Sequence, residues 1–163
     1  MAWVSLQGVS LPEVSRARRK AQERLSAIRP ESVPDAAVLM LFHGELRRYE
    51  ADHAGNQNLP PHVGGYQASL DFLRRAQTSD GGWGPYADSP PEAFDTALAL
   101  LALAECRSES GVPDMIKRGR GFLISSQQSD GSWPATTRPS GGQSYAQQVS
   151  TTSWATLALL ATR

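Results

Sequence analysis

The sequence predicts an all-α fold built from repeated helix–turn–helix units. The segment FLRRAQTSDGGW at 72–83 recurs as FLISSQQSDGSW at 122–133, 50 residues further along the chain. Each copy is followed by a helical stretch rich in Ala, Leu and Thr, and no stretch alternates apolar with polar residues as a half-buried strand would. A repeat of this length indicates an array of similar units, each of which buries its apolar face only against its neighbours.

The first part of the chain predicts two helices. From Pro12 onwards apolar residues recur at three- and four-residue steps until Pro30 stops the pattern. The opposite face of this helix is basic, and we interpret it as a solvated surface rather than an anion-binding patch. Ser32 and Asp35 then predict an N-cap before a more apolar helix. In order, these elements are an arm over 1–12, a helix between the two prolines, a helix over 36–48 and a loop over 53–65.

The rest of the chain predicts two copies of a longer unit. In each copy one helix leads into the repeated turn and the Ala/Leu/Thr-rich helix follows it. Asp-Gly pairs often mark β-hairpins, but both pairs here lie between helical segments, so we reject hairpins. A long polar stretch before the last helix predicts a loop that is either functional or poorly ordered. The predicted helices cover 66–76, 91–106, 113–126 and 150–161, and this loop covers 134–149.

The composition of the chain argues against several classes of function. A chain of 163 residues fits one domain, and its 16 basic and 16 acidic residues give no general attraction to nucleic acid. Cys106 is the single cysteine, and it forms no metal-ligand spacing with His43, His53 or His62, so no metal or cofactor is predicted. The first residues lack a secretory signal pattern and no apolar stretch is long enough to span a membrane, so we expect a cytoplasmic protein.

The repeated turns resemble the QW repeat of the squalene-hopene, oxidosqualene and class II diterpene cyclases. The family pattern is a basic and a small residue, then an aromatic, an aliphatic, Gln and Gly-x-Trp at fixed gaps. The second copy matches throughout, with Arg118, Gly119, Phe122, Leu123, Gln127, Gly131 and Trp133. The first copy has Phe72, Leu73, Gln77, Gly81 and Trp83, but Ala68 and Ser69 replace the basic–small pair. The resemblance covers roughly residues 66–163.

This resemblance implies an α/α barrel, or toroid, in which inner and outer helices alternate. The helices starting near Thr96 and Thr152 would be inner helices, and those carrying Phe72 and Phe122 would be outer helices. In the family, the Gln of the repeat serves unpaired backbone groups at helix ends and the Trp ring lies against it. We expect one domain over 1–163, made of a degenerate hairpin and loop (1–63) and two QW units (64–112 and 113–163). A family barrel has two rings of six helices, so this chain would form half a barrel.

The resemblance also points to an acid motif at the start of an inner helix. Class II cyclases protonate an alkene or epoxide, which requires a carboxylic acid kept neutral in a dry pocket. The family carries this acid in Asp-x-Asp-Asp-Thr-Ala, and the matching stretch here is EAFDTA at 92–97. Asp95 matches the last Asp and is the candidate acid, and Glu92 stands at the first. Phe94 stands where the family has its proton donor.

Each of these acids also has an ordinary structural explanation. Ser89 and Glu92 have the spacing of a capping box, with prolines in the first turn. Asp95 would lie in the same first turn, where the helix dipole favours a carboxylate. Asp80 and Asp130 belong to the repeated turns and are expected to stabilise them.

Three aromatic residues are candidates for lining an apolar substrate cavity: Phe94, Trp154 and Tyr86. For Phe94 and Trp154 core packing is the alternative. The repeated positions of the two turns are expected to be structural rather than ligand-binding; they are Phe72, Gln77, Gly81, Trp83, Phe122, Gln127, Gly131 and Trp133.

Two classes of function stay open. The first is a compact relative of class II terpene cyclases that cyclises a polyprenyl or triterpenoid substrate inside a closed oligomer. The second is a non-catalytic repeat module that binds an apolar ligand or a partner protein. Phe94 favours the second class, whereas the retained Asp95-Thr96-Ala97 favours a cyclase ancestry. The expected partners are an isoprenoid ligand and a second copy or another chain that completes the barrel, with peripheral membrane contact left open.

Overall fold

Six α-helices make up the part of the chain that the structure describes. This computed structural model describes residues 12–52, 63–136 and 144–163. The predicted arm lies outside these ranges apart from Pro12, and so do residues 53–62 of the first predicted loop and 137–143 of the second. No strand occurs in the described ranges, which confirms the all-α prediction. The helices are α1 (Pro12–Ser26), α2 (Val33–Asp52), α3 (Val63–Ala76), α4 (Ala93–Ala104), α5 (Val112–Ser126) and α6 (Tyr145–Ala161).

The helices form two layers around α4. Helix α4 packs between α2 and α6 and is backed by α5, while α3 backs α2. The inner layer is therefore the row α2, α4, α6, and the outer layer holds α3 and α5, with α1 beside α3. This arrangement has the alternation of inner and outer helices expected from the sequence. Alanines allow the inner helices to approach closely, and Ala97, Ala99, Ala102, Ala155 and Ala158 are all fully buried.

Helix boundaries differ from the predictions at several places. Helix α2 covers Val33–Asp52 instead of 36–48, and α3 begins at Val63 instead of 66. Helix α6 begins at Tyr145 instead of near 150, because Ser144 and Gln147 form a capping box in which each side chain bonds the other's backbone N–H. Helix α4 begins at Ala93 with Glu92 as its N-cap, and the Glu92 side chain makes no capping bond. The capping box expected from Ser89 and Glu92 is therefore wrong.

The N-cap of α2 follows the prediction. The Asp35 N–H donates to Ser32 Oγ at 3.1 Å, and the Ser32 N–H donates to Asp35 Oδ2 at the same distance. These reciprocal bonds satisfy two backbone donors that the start of the helix would otherwise leave unpaired.

The two repeated turns have the same backbone. The Thr78 N–H donates to Gly82 O and the Gln128 N–H donates to Ser132 O, which closes each turn. Gly81 and Gly131 have φ of 88° and 86°, a left-handed conformation that strains any residue with a Cβ. The sequence repeat therefore encodes a repeated backbone geometry.

Each repeated tryptophan ties its turn to the helix before it. The indole N–H of Trp83 donates to Leu73 O at 2.8 Å, and that of Trp133 donates to Leu123 O at 2.7 Å. Both carbonyls lie in the last turn of an outer helix, where no backbone N–H of the helix is available to them. The tryptophans thus act as helix C-caps in addition to filling the core.

A threonine ties the first turn to the inner helix that follows. The Trp83 N–H donates to Thr96 Oγ1 at 2.9 Å, and the same hydroxyl donates to Trp83 O at 3.2 Å. In the second unit the Trp133 N–H donates to Thr152 Oγ1 at 3.2 Å. The sequence points to Thr96 as part of the acid motif and as the start of an inner helix, and it does not reveal this hydrogen bond.

Gln77 joins the first unit to the second. Its amide donates to Gly81 O at 2.8 Å within the turn and to Met115 O at 3.0 Å in α5. Its carbonyl oxygen accepts a hydrogen bond from the Arg118 guanidinium. The basic residue of the repeat therefore serves the Gln of the preceding unit, and the expected structural role of Gln77 includes this link between units.

Replacing Gly119 by Ala should destabilise the protein, whereas replacing Gly121 in the same helix should not. A Cβ at Gly119 would lie 2.6 Å from the Trp83 ring and 3.0 Å from Leu100, both fully buried. We expect a loss of about 1–3 kcal/mol in the free energy of unfolding. A Cβ at Gly121 meets nothing within 4 Å, so Ala should stabilise the helix by about 0.5–1 kcal/mol. Urea denaturation measures both, and equal effects would contradict the packing described.

Replacing Thr96 by Val should cost about 1–3 kcal/mol, because the buried Trp83 N–H loses its acceptor without a large change in volume. The matched control is Thr156→Val in α6, where the hydroxyl is exposed and bonds only the carbonyl of Thr152. This control should change the free energy of unfolding by no more than about 0.5 kcal/mol. Indistinguishable urea midpoints for the two variants would argue against a role of Thr96 in fixing the turn.

Candidate functional site

One side of the inner layer carries apolar side chains that no helix in the described ranges covers. In α4 every side chain is buried except a half-buried stripe at intervals of three and four, formed by Phe94, Leu98, Leu101 and Ala104. Glu105, the C-cap residue, continues the stripe after the helix end. Leu100, on the opposite side of the helix, packs against α5 near Gly119. The stripe therefore faces away from the outer layer.

The neighbouring inner helices carry matching stripes. Thr96 and Thr152 bond their tryptophans in the same way, and this register makes Trp154 and Leu157 the equivalents of Leu98 and Leu101. Trp154 is 38% exposed and Leu157 50%. Helices α2 and α4 can be aligned at their first residues, Val33 and Ala93. In this alignment Val38, which is 54% exposed, is the equivalent of Leu98. We name this surface the inner face; it consists of Val38, Leu41, Leu98, Leu101, Trp154 and Leu157.

A pocket opens between the starts of α4 and α6, next to the inner face. Its volume is about 360 Å³. Thr151 in its wall is buried, and its hydroxyl makes no hydrogen bond to any residue that the structure describes. We name this cavity the N-terminal pocket, after the N-termini of α4 and α6. It is lined by Phe94, Thr136, Ala146, Gln147, Ser150 and Thr151.

The candidate acids lie near this pocket but do not line it. Asp95 is in the first turn of α4, as expected, and is completely buried. Glu92 is half-buried, and its Oε2 accepts a hydrogen bond from Thr136 Oγ1 at 2.7 Å. A ligand on the inner face would therefore meet Phe94 before either carboxyl.

The three aromatic candidates are placed differently from one another. Phe94 lines the N-terminal pocket, and Trp154 lies on the inner face one helix away. Tyr86 is 56% exposed in the segment between Trp83 and α4, and it lines neither the pocket nor the inner face. The aliphatic members of the inner face were not anticipated, although their spacing of three residues in α2, α4 and α6 is visible in the sequence.

Asp130 has the turn-stabilising role expected of it. Its Oδ1 accepts hydrogen bonds from the Ser132 N–H at 2.9 Å and the Ser132 hydroxyl at 2.7 Å. These bonds favour the ionised carboxyl and lower the pKa of Asp130 below its usual range. Because the folded-state pKa is the lower one, the contribution to stability is present above the unfolded-state pKa and is lost as the pH falls through the folded value.

In residues 12–52, 63–136 and 144–163, no three His, Cys, Asp or Glu residues are grouped so that they could hold a metal ion. None of the six helices has the length and apolar character needed to cross a membrane.

More than half of the chain matches a known protein family. The model of the squalene-hopene cyclase C-terminal domain matches residues 66–163, which is more than half of the chain. The matched range contains both repeated turns and helices α4, α5 and α6. The chain therefore belongs to the squalene-hopene cyclase C-terminal domain family.

Proposed function

We propose that the inner face binds an apolar isoprenoid chain of the polyprenyl or triterpenoid class. The observation that carries this proposal is the recurrence of apolar side chains at equivalent positions of α2, α4 and α6, on the side without a covering helix. Exposed apolar surface of this kind marks binding surfaces in proteins. Covering it with hydrocarbon would contribute roughly 25 cal/mol for each Å² removed from water.

The chemistry of the inner face suits an unsaturated hydrocarbon. Branched aliphatic side chains provide most of it. The Trp154 ring on α6 and the Phe94 ring at the start of α4 add aromatic surface. Aromatic faces attract cations, so the same residues could also stabilise a carbocation. Membership of the cyclase family supports an isoprenoid over other apolar ligands.

Acid-initiated cyclisation is the second candidate function. It is favoured by Asp95, a fully buried carboxyl in the first turn of an inner helix, followed by Thr96 and Ala97 as in the family motif. Against it stand Phe94 at the position of the family's proton donor and the absence of Asp95 from the lining of the N-terminal pocket. Binding without cyclisation is therefore the function that the geometry supports best.

Ligand binding should depend on the inner face and not on the outer layer. We expect squalene and geranylgeranyl diphosphate, added from detergent, to change the tryptophan emission, since Trp154 lies on the inner face. Leu157→Gln should weaken binding about 10-fold, because roughly 1–2 kcal/mol of apolar contact is lost. Ile124→Gln is the matched control, because Ile124 is equally exposed but belongs to outer helix α5. Equal weakening by both variants, or no binding to the parent protein, would contradict the proposal.

Product analysis separates binding from cyclisation. The protein is incubated with the same two substrates, and extracts are examined by gas chromatography and mass spectrometry. We expect no cyclic product from the parent protein. A cyclic product that disappears in Asp95→Asn but persists in Glu92→Gln would instead establish Asp95 as the acid, and binding alone would no longer describe the function.

A further inference from the structure

The second repeated turn lacks the contacts that cover the first. Gln77 bonds Met115 and Arg118 of the following unit, whereas Gln127 donates only to Gly131 O at 2.9 Å and is exposed. A Cβ at Gly81 would lie 2.7 Å from Arg118 O, whereas nothing lies within 4 Å of one at Gly131. The second turn thus has the same geometry as the first, but no helix in the described ranges covers it as α5 covers the first turn.

The side of α6 that faces away from α4 is also uncovered. Val149 and Leu160 are exposed there, and their equivalents in α4 are Ala93, which is buried, and Ala104, which is half-buried. The buried residues of α6 are Thr151, Ala155 and Ala158; they lie on the opposite side of the helix, which packs against α4. Together, the second turn and this side of α6 present the surface that a further outer and inner helix would occupy.

At the opposite end of the row lie helices α1 and α2. Helix α1 exposes residues of the type that covers the first repeated turn. Helix α1 precedes α2 as α5 precedes α6. It has two basic–small pairs, the type of pair that α5 supplies to the first turn with Arg118 and Gly119. They are Arg16–Ala17 and Lys20–Ala21, and all four side chains are exposed.

We propose that a second copy of this chain docks head to tail on this surface. Its α1 lies on the second repeated turn, where Arg16 or Lys20 donates to the side-chain oxygen of Gln127 as Arg118 does to Gln77 in the first turn. Its α2 packs beside α6, over Val149 and Leu160. Each copy carries both surfaces, so two copies that make the same contact twice close a ring of two.

Charge supports this pairing. The exposed face of α1 is basic, and the second turn carries Asp130, whose carboxyl is ionised at neutral pH and exposed. Equal totals of basic and acidic residues mean that two copies do not repel each other through net charge. The proposed contact repeats one that already exists inside the chain, between the first turn and α5. It does not depend on whether the inner face binds an isoprenoid.

Solution mass without any ligand tests the docking. At about 100 μM, size exclusion with light scattering should give about twice the 17.6 kDa of one chain. Gln127→Arg should return the mass to one chain, because it places a cation opposite α1. Gln67→Arg is the matched control, since Gln67 is exposed on α3 away from the second turn, and this variant should stay dimeric. Circular dichroism checks that both variants remain helical.

Mixing two variants gives the most specific result. Arg16→Glu/Lys20→Glu alone should be monomeric, because its acidic α1 repels the turn that carries Asp130. Mixed with Gln127→Arg, it should form a heterodimer of double mass, in which one contact is rescued by the new charge pair and the other is unchanged. A monomeric parent protein, a dimer that none of these variants alters, or no recovery on mixing would overturn the proposal. None of these outcomes bears on ligand binding, which is measured separately.

Discussion

The fold depends on the hydrogen bonds of the two repeated tryptophans. Each indole N–H closes a carbonyl in the last turn of an outer helix, and each tryptophan backbone N–H bonds a threonine of the following inner helix. Outer helix, turn and inner helix are thereby joined through one residue. The inner helices then stand side by side, and their buried alanines let them pack closely. The uncovered inner face follows directly from this arrangement.

Phe94 and Asp95 show how the family motif has been changed at the start of α4. A proton donor needs a carboxyl that reaches the substrate, and the residue that borders the N-terminal pocket is the apolar Phe94. Asp95 is retained but buried, and Glu92 is held by Thr136. The result is an apolar and aromatic surface that is bordered at this motif by Phe94 instead of a carboxylic acid. This combination explains why binding is better supported than cyclisation.

Much of the fold could be predicted because short local sequence patterns specify it and the main pattern occurs twice. The repeat specifies its turn through Gly81 and Gly131, and the spacing of apolar residues specifies the helices. The start of α6 was placed too late because the polar composition around Ser144 and Gln147 concealed a capping box. The bond between Thr96 and Trp83, which are 13 residues apart, and that between Glu92 and Thr136, 44 apart, depend on tertiary packing. Exposure of Tyr86 likewise depends on the path of a loop, which residue type does not determine.

The most direct test of the inner face as the ligand-binding surface is photo-crosslinking with a diazirine-bearing geranylgeranyl probe, followed by peptide mapping. The adducts are predicted to fall on α4 and α6, at Leu98, Leu101, Trp154 or Leu157, and to decrease when unlabelled squalene competes. Adducts confined to the outer helix α5, around Ile124, or adducts that squalene does not displace would contradict the account.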